Sequence, residues 1–220
     1  MRAMILAAGK GERTQPFTNI TPKPMLKAGG KPLLQYHIES LVNAGIREIV
    51  INTGRLGDVI ESWFGSGHGF GADIQYSREG DEPLETGGGI KHALPLLGSE
   101  PFIALNGDIW TDFNYSRLLE RDNKLIHLVL VKNPPHHPDG DFVLQGDVVS
   151  LEGSPKLTFS GIGLYPPAYF SEQSETVFPL LPLLQRAIRE GKVTGELFKG
   201  HWLDVGTPER LQELEGILAK

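Results

Sequence analysis

Short apolar runs alternate with stretches whose apolar residues recur at helical spacing through the first half of the chain. Ala3 to Leu6 reads as a buried strand, followed by a glycine- and proline-rich loop. Pro32 suits the first position of a helix, Leu33, Leu34, Ile38, Leu41 and Val42 form its apolar stripe, and Gly45 ends it. Ile49 to Ile51 reads as a second strand. Leu56, Val59, Ile60, Trp63 and Phe64 fall at helical spacing before a glycine-rich turn from Gly65 to Gly71. Asp73 to Arg78 is a third strand, Gly87 to Leu97 a further helix, and Phe102 to Leu105 a fourth strand running into Asn106-Gly107-Asp108. Buried strands separated by helices predict an α/β fold: three layers, a mostly parallel sheet, and helices on both faces.

The second half is less regular. Leu125 to Val131 reads as a strand and Pro134 to Gly140 as an exposed loop. Phe142 to Leu151 and Leu157 to Tyr165 read as antiparallel strands joined by a Gly-Ser-Pro turn. Leu180 to Arg189 is helical and Trp202 to Val205 a short strand. Thr207 caps a last helix, with Pro208 at its first position and Leu211, Leu214 and Leu218 facing inward. No linker, repeat or low-complexity tract interrupts the pattern, so residues 1–220 are expected to form a single domain. Its regular first part would span about 1–110 and its less regular second part about 111–220.

Composition narrows the possibilities. A net charge of −6 argues against a nucleic-acid or membrane surface, which needs a basic face. The absence of cysteine excludes disulfides, thiolate metal sites and a cysteine nucleophile. No long apolar segment is present, so a cytoplasmic protein is expected, with a monomer as the simplest state. His136 and His137 sit side by side in a proline-rich loop and read as solvated.

Candidate chemistry gathers in the loop after the first strand, Leu-Ala-Ala-Gly-Lys-Gly-Glu-Arg from Leu6 to Arg13, continuing through Pro16 and Thr18 to Pro22-Lys23-Pro24. Gly9 and Gly11 let backbone approach a ligand closely, and Arg13 and Lys23 supply two cations that suit a polyphosphate. The loop is neither of the common phosphate fingerprints. The third glycine of a dinucleotide loop would fall at Thr14, and the second strand runs to Asn52 rather than to a carboxylate. Gly30-Lys31 is followed by Pro32, and Met25 stands where a Walker A loop needs glycine. Ligands of open parallel sheets bind at the carboxyl ends of strands. The first loop, Glu85 to Gly89 and Asn106-Gly107-Asp108 are all placed at such ends. Asp108, and Asp204 within Trp202-Leu203-Asp204-Val205-Gly206-Thr207, end apolar strands, where a carboxylate is costly unless paired or metal-bound. Two carboxylates with phosphate oxygens make a natural Mg2+ site.

The composite pattern resembles the sugar-1-phosphate nucleotidylyltransferases, or nucleotide-sugar pyrophosphorylases. Leu6 to Arg13, Pro16, Thr18 and Pro22 to Pro24 match the family's opening, with Gln15 a departure that touches no expected contact. The resemblance implies the nucleotide-diphospho-sugar transferase fold, a Rossmann-like sheet with a small antiparallel sugar-binding part. It implies catalysis by Arg13, Lys23 and Asp108, with Mg2+ held by Asp108 and Asp204. Nucleotide contacts would come from Leu6, Ala8, Gly9, Gly11, Glu12, Arg13, Lys23 and Gly88, the last through backbone left open by glycine. Sugar contacts would come from Asn106, Asp141 and Gly161, although the family's usual Glu-Lys-Pro sugar segment is not evident before the strand that carries Gly161. The implied partners are a nucleoside triphosphate and a sugar 1-phosphate. Gly-Lys-Gly-Glu-Arg and Leu-Glu-Thr-Gly-Gly-Gly-Ile resemble the members that use UTP and an N-acetylated, lactyl-bearing sugar 1-phosphate. Guanylyl transfer to mannose 1-phosphate is the alternative, and a non-catalytic sensing domain the alternative of another class. No cation for the lactyl carboxylate can be named from the sequence.

Overall fold

The computed structural model describes residues 1–9, 20–80, 82–122 and 124–219. Its first half contains β1 (Arg2–Leu6), β2 (Lys27–Ala28), β3 (Lys31–Pro32), α1 (Leu33–Asn43), β4 (Glu48–Thr53), α2 (Gly57–Phe64), β5 (Asp73–Arg78), α3 (Glu85–Leu97) and β6 (Phe102–Asn106). Then follow β7 (Ile109–Thr111), β8 (Ile126–Val131), β9 (Phe142–Gln145), β10 (Val148–Ser150), β11 (Lys156–Tyr165), α4 (Ala168–Ser171), α5 (Leu180–Arg189), β12 (Val193–Leu197), β13 (Trp202–Asp204) and α6 (Pro208–Leu218).

One nine-stranded sheet runs β5-β4-β1-β6-β11-β8-β12-β10-β9. The expected parallel sheet is its first part: β4, β5 and β6 pair parallel with their neighbours around β1. The ten-residue β11 then enters antiparallel between β6 and β8. Beyond it, the pairings β11–β8–β12–β10–β9 return to β11 and close on themselves. The sheet is therefore mixed rather than mostly parallel in its second part.

Alternation along the strands assigns the two faces. Ala3, Ile5, Ile49 and Ile51 face α1 and α2, while Met4 and Val50 face α3 and α5. Each such buried aliphatic side chain contributes about 1.5–3 kcal/mol by leaving water. A third cluster joins Leu26, Ala28 and Leu33 to Val205 and Leu214, seating α6 at the edge.

Local departures have local reasons. Pro32 precedes α1 as its cap rather than entering it. The run from Phe142 to Leu151 is a hairpin, because Gly146 at φ +64° allows a two-residue turn between Gln145 and Val148. Strand β12 was not foreseen, since Val-Thr-Gly-Glu-Leu carries little apolar signal. Thr207 does cap α6, accepting from the Arg210 amide at 3.4 Å, with Pro208 at its first position.

Beneath the Asn106-Gly107-Asp108 turn lies a buried polar pair. His37 of α1 bonds through Nε2 to the Ile109 carbonyl at 2.8 Å, and its Nδ1 lies 3.3 Å from the Tyr115 hydroxyl. Burial lowers the imidazole from its usual 6.5 to about 4. The unfolded chain takes up this proton near pH 6.5 and the folded chain only near pH 4. The stability the neutral ring contributes is thus present above pH 6.5 and lost as pH falls toward 4. Glu196, with Arg117 and Arg121 beside it, is lowered from 4.5 to about 2, so its contribution is lost only below pH 4.5.

Between pH 6.5 and 4.5 the unfolding free energy should therefore fall by about 1.4 kcal/mol per pH unit. His37→Gln should flatten this slope. Urea denaturation across the window checks it, and an equally steep profile in the variant would remove His37 as the cause.

Candidate active site

The first loop and the Asn-Gly-Asp turn are locked together by backbone. The Gly107 amide donates to the Leu6 carbonyl at 2.9 Å, and a β-carbon at Gly107 would fall 2.8 Å from that oxygen. Only glycine permits this approach. The adjacent Ala7 amide donates to Asn52 Oδ1 at 2.6 Å. Asn52 Nδ2 donates to Glu79 Oε1 at 2.6 Å, and Glu79 Oε2 accepts from the Leu84 amide at 3.1 Å. Asn52, at the strand end where a dinucleotide fold would carry its ribose carboxylate, instead ties the first loop to the entry of α3. Neither Asn52 nor Glu79 stood out in the sequence, because both are single polar residues at strand ends.

Leu6, Ala8 and Gly9 sit at the carboxyl end of β1, with Gly9 exposed. Gly11, Glu12 and Arg13, with Pro16 and Thr18, lie outside the described residues. Lys23 opens a tight turn between Pro22 and Pro24 and is buried. Its ammonium pairs with Asp108 Oδ2 and lies 4.0 Å from Asp204 Oδ1. The antiparallel pair β7–β13 sets Asp204 opposite Ile109, and the Val205 amide donates to the Asp108 carbonyl at 2.9 Å. Two aspartates 96 positions apart are thereby brought around one lysine.

Arg210, which the sequence did not single out, completes the cluster. From the first turn of α6 its Nη1 reaches Asp204 Oδ2 at 2.7 Å, the Asp204 carbonyl at 3.0 Å and His136 Nε2 at 3.1 Å. The remaining carboxylate oxygen, Asp204 Oδ1, is buried without a hydrogen-bond partner among the described residues. An orphaned carboxylate oxygen beside a second carboxylate fits a hard divalent cation. Among the described residues no cluster of three metal-ligating side chains exists, so such an ion would complete its shell with water and phosphate oxygens.

A cavity of about 320 Å3 opens beside these carboxylates, walled by Asn106, Asp108, Asp204, His136, Phe159 and Trp202. It is large enough for a small ligand. Trp202 Nε1 donates to the Ser160 carbonyl at 2.9 Å, fixing one wall. Gly161, at φ +81° in the irregularity of β11, lies against Asn106; a β-carbon there would fall 2.5 Å from Asn106 Nδ2. The two expected sugar-site residues Asn106 and Gly161 are thus in contact.

Three places have surroundings that their local sequence does not suggest. His136 and His137 are not simply solvated: both line the cavity. Asp141 does not line it; its Oδ2 accepts from the Phe159 amide at 2.8 Å and its Oδ1 lies 3.1 Å from His137 Nε2. Gly88 does not hold open backbone: it is buried, its amide donates to the Phe178 carbonyl at 3.0 Å, and the Thr176 carbonyl occupies the space a β-carbon would need. Gly87 and Gly88 of α3 admit the segment 176–178 over the start of the helix. Lys91 holds the same strap through the Gln173 and Glu175 carbonyls, at 2.6 and 2.9 Å.

Comparison with known proteins follows this geometry. Residues 2–142 match the family model described as nucleotidyl transferase. The chain is 46% identical to the N-acetylmuramate alpha-1-phosphate uridylyltransferase of Neisseria meningitidis serogroup B, over 99% of this chain and 98% of that one. It is 32% identical to the Caulobacter vibrioides protein of the same name, over 99% and 97%. A solved structure described as a glucose-1-phosphate thymidylyltransferase from Bacillus anthracis superposes with a TM-score of 0.87 at 24% identity, covering 99% of this chain and 95% of that one, a likeness of fold.

Gly88→Ala should lower stability by about 1–3 kcal/mol, because the strap must be displaced to admit a methyl group. Thermal denaturation should show the melting point several degrees lower. An unchanged melting point together with weaker nucleotide binding would restore the ligand-facing role.

Proposed function

Because the chain belongs to the nucleotidyl transferase family, we propose that it transfers a uridylyl group from UTP to N-acetylmuramic acid α-1-phosphate. The products are the nucleotide-sugar and pyrophosphate. The observation that carries this reading is the 46% identity, along nearly the whole of both chains, to the Neisseria uridylyltransferase. The pairing of Lys23 with Asp108 and its approach to Asp204, both aspartates lining one cavity, support catalysis over a sensing role, which needs neither the cation nor both carboxylates. The sugar is a component of bacterial cell walls, so the reaction belongs to wall-sugar recycling. Its nucleotide substrate assigns it to the cytoplasm.

The chemistry follows from charge. A sugar-phosphate oxygen attacks the α-phosphorus of the triphosphate, and the bond to the β-phosphate oxygen breaks in line. The attacking oxygen is already anionic, so no side chain need remove a proton; the protein has to position two anions and screen their repulsion. Lys23, rigidly held between prolines, sets one positive charge at the reacting phosphates. Arg13 offers a planar fork that suits the departing pyrophosphate. Asp108 and Asp204 would hold Mg2+, which when bound would polarise phosphate oxygens and neutralise developing charge. Asn106 and Gly161 seat the sugar ring, and Leu6, Ala8, Gly9, Gly11 and Glu12 line the nucleotide.

A panel crossing UTP and GTP with the 1-phosphates of N-acetylmuramic acid and mannose tests the reading through pyrophosphate release and product mass. UDP-N-acetylmuramic acid is expected. Exclusive GDP-mannose would transfer the assignment to guanylyl transfer while leaving the reaction type intact.

Asp108→Asn and Asp204→Asn should each cut turnover on the order of a hundredfold or more while the fold is retained. Titration calorimetry with Mg2+ and a non-hydrolysable UTP analogue should show the metal response lost in both. Normal Mg2+ binding in either variant would remove that residue from the metal site.

Arg13→Lys should impair turnover although the charge is kept, because an ammonium cannot make the paired hydrogen bonds of a guanidinium. Full activity in steady-state assays would mean that charge alone matters at this position.

A further inference from the structure

N-acetylmuramic acid differs from a neutral N-acetylated sugar by a lactyl ether that ends in a carboxylate. Among the described residues, the walls of the cavity beside the reacting centre carry no lysine or arginine and include the acids Asp108 and Asp204. Lys23 and Arg210 are already engaged with those acids. An anionic substituent entering this space needs another donor, and the described side chains on its walls able to carry positive charge are His136 and His137.

The two imidazoles are held differently. His136 Nε2 accepts from Arg210 and lies 3.6 Å from Asp204 Oδ2, so it belongs to the carboxylate cluster. His137 stands apart from that cluster and is backed by its own carboxylate, Asp141, at 3.1 Å from Nε2. With Nε2–H donating to Asp141, Nδ1 is the ring nitrogen without a protein partner among the described residues, and in the imidazolium form it offers N–H to an anion.

The loop that carries His137 is pre-set rather than loose. Asp141 uses its other oxygen to accept from the Phe159 amide of β11, and its own amide donates to the Leu157 carbonyl at 2.8 Å. Asn133, at the start of the loop, donates to the carbonyls of Pro138 and Lys156 and accepts from the Thr158 hydroxyl at 2.9 Å. Both ends of the loop are thus tied to the strand that forms the cavity wall. A donor held in place loses little freedom when it meets its ligand.

We propose that His137 recognises the carboxylate of the acidic sugar substrate, and that Asp141 acts through it as a positioning residue. The inference rests on the muramate reading above. It also gives Asp141, which does not line the cavity, a place in substrate choice.

The test compares N-acetylmuramic acid α-1-phosphate with N-acetylglucosamine α-1-phosphate, which lacks the lactyl group, under saturating UTP. In His137→Gln the ratio of kcat/KM for the acidic sugar over the neutral one should fall on the order of tenfold, mainly through KM for the acidic sugar. Asp141→Asn should shift the same ratio in the same direction by less, again through KM rather than kcat. Melting curves of both variants establish that they are folded. An unchanged ratio in folded His137→Gln, or an equal loss for both sugars, overturns the inference and leaves the uridylyltransferase reading in place. If the wild-type protein does not turn over the acidic sugar at all, the muramate reading falls and this inference falls with it, a result the wild type alone identifies.

Discussion

The ammonium of Lys23 lies among the carboxylates of Asp108 and Asp204, and much of the architecture serves to bring these groups together. A buried lysine is tolerated only when its charge is matched, and two neighbouring carboxylates are tolerated only when something positive stands among them. Each group therefore requires the others. Pro22 and Pro24 fix the lysine, β6 delivers Asp108, and the β7–β13 pair aligns Asp204. Arg210 satisfies one oxygen of Asp204 and leaves the other without a partner among the described residues. That imbalance leaves one carboxylate oxygen of the cluster outside a completed hydrogen-bond network among the described residues.

Around this cluster the backbone is brought unusually close to itself at two places. Gly107 lets the Asn-Gly-Asp turn bond to the end of β1, and Gly161 lets β11 pass against Asn106. One contact joins the end of β1 to the Asn-Gly-Asp turn, and the other joins that turn to the cavity. His37, neutral within the core, supports the turn from below through the Ile109 carbonyl. The site is a set of strand ends whose spacing is imposed by missing β-carbons and buried hydrogen bonds. A scaffold of this kind suits a reaction in which positioning and charge screening dominate.

The closed second part of the sheet has a separate role. Strands β8 to β12 form a wall against which the loop from Asn133 to Asp141 is anchored. Asn133 and Asp141 tie the loop to β11, whereas His136 of the same loop reaches Arg210 and the Asp204 side of the cluster.

Much of the fold was legible from periodicity alone. Buried strands such as Ala3 to Leu6 and amphipathic helices such as Leu180 to Arg189 depend on burial of side chains whose spacing is written locally. The composite glycine, lysine and aspartate motifs likewise singled out Lys23, Asp108 and Asp204, which the structure brings together. What the sequence left open were the long-range choices. Strand β12 has little pattern of its own and exists because β8 and β10 offer it partners. Gly88 looked like an open ligand loop and proved to be a packing site for the segment 176–178, a contact between residues about ninety positions apart. His137, read as solvated, lines the cavity, Asp141 bonds to it from behind, and Arg210 emerged from a helix that reads as ordinary surface. The sequence by itself determined the elements, the family chemistry and the principal charges, because those depend on local spacing and residue type. Only the tertiary structure decided which of the polar groups meet, because hydrogen bonds and ion pairs form between positions that no local pattern connects.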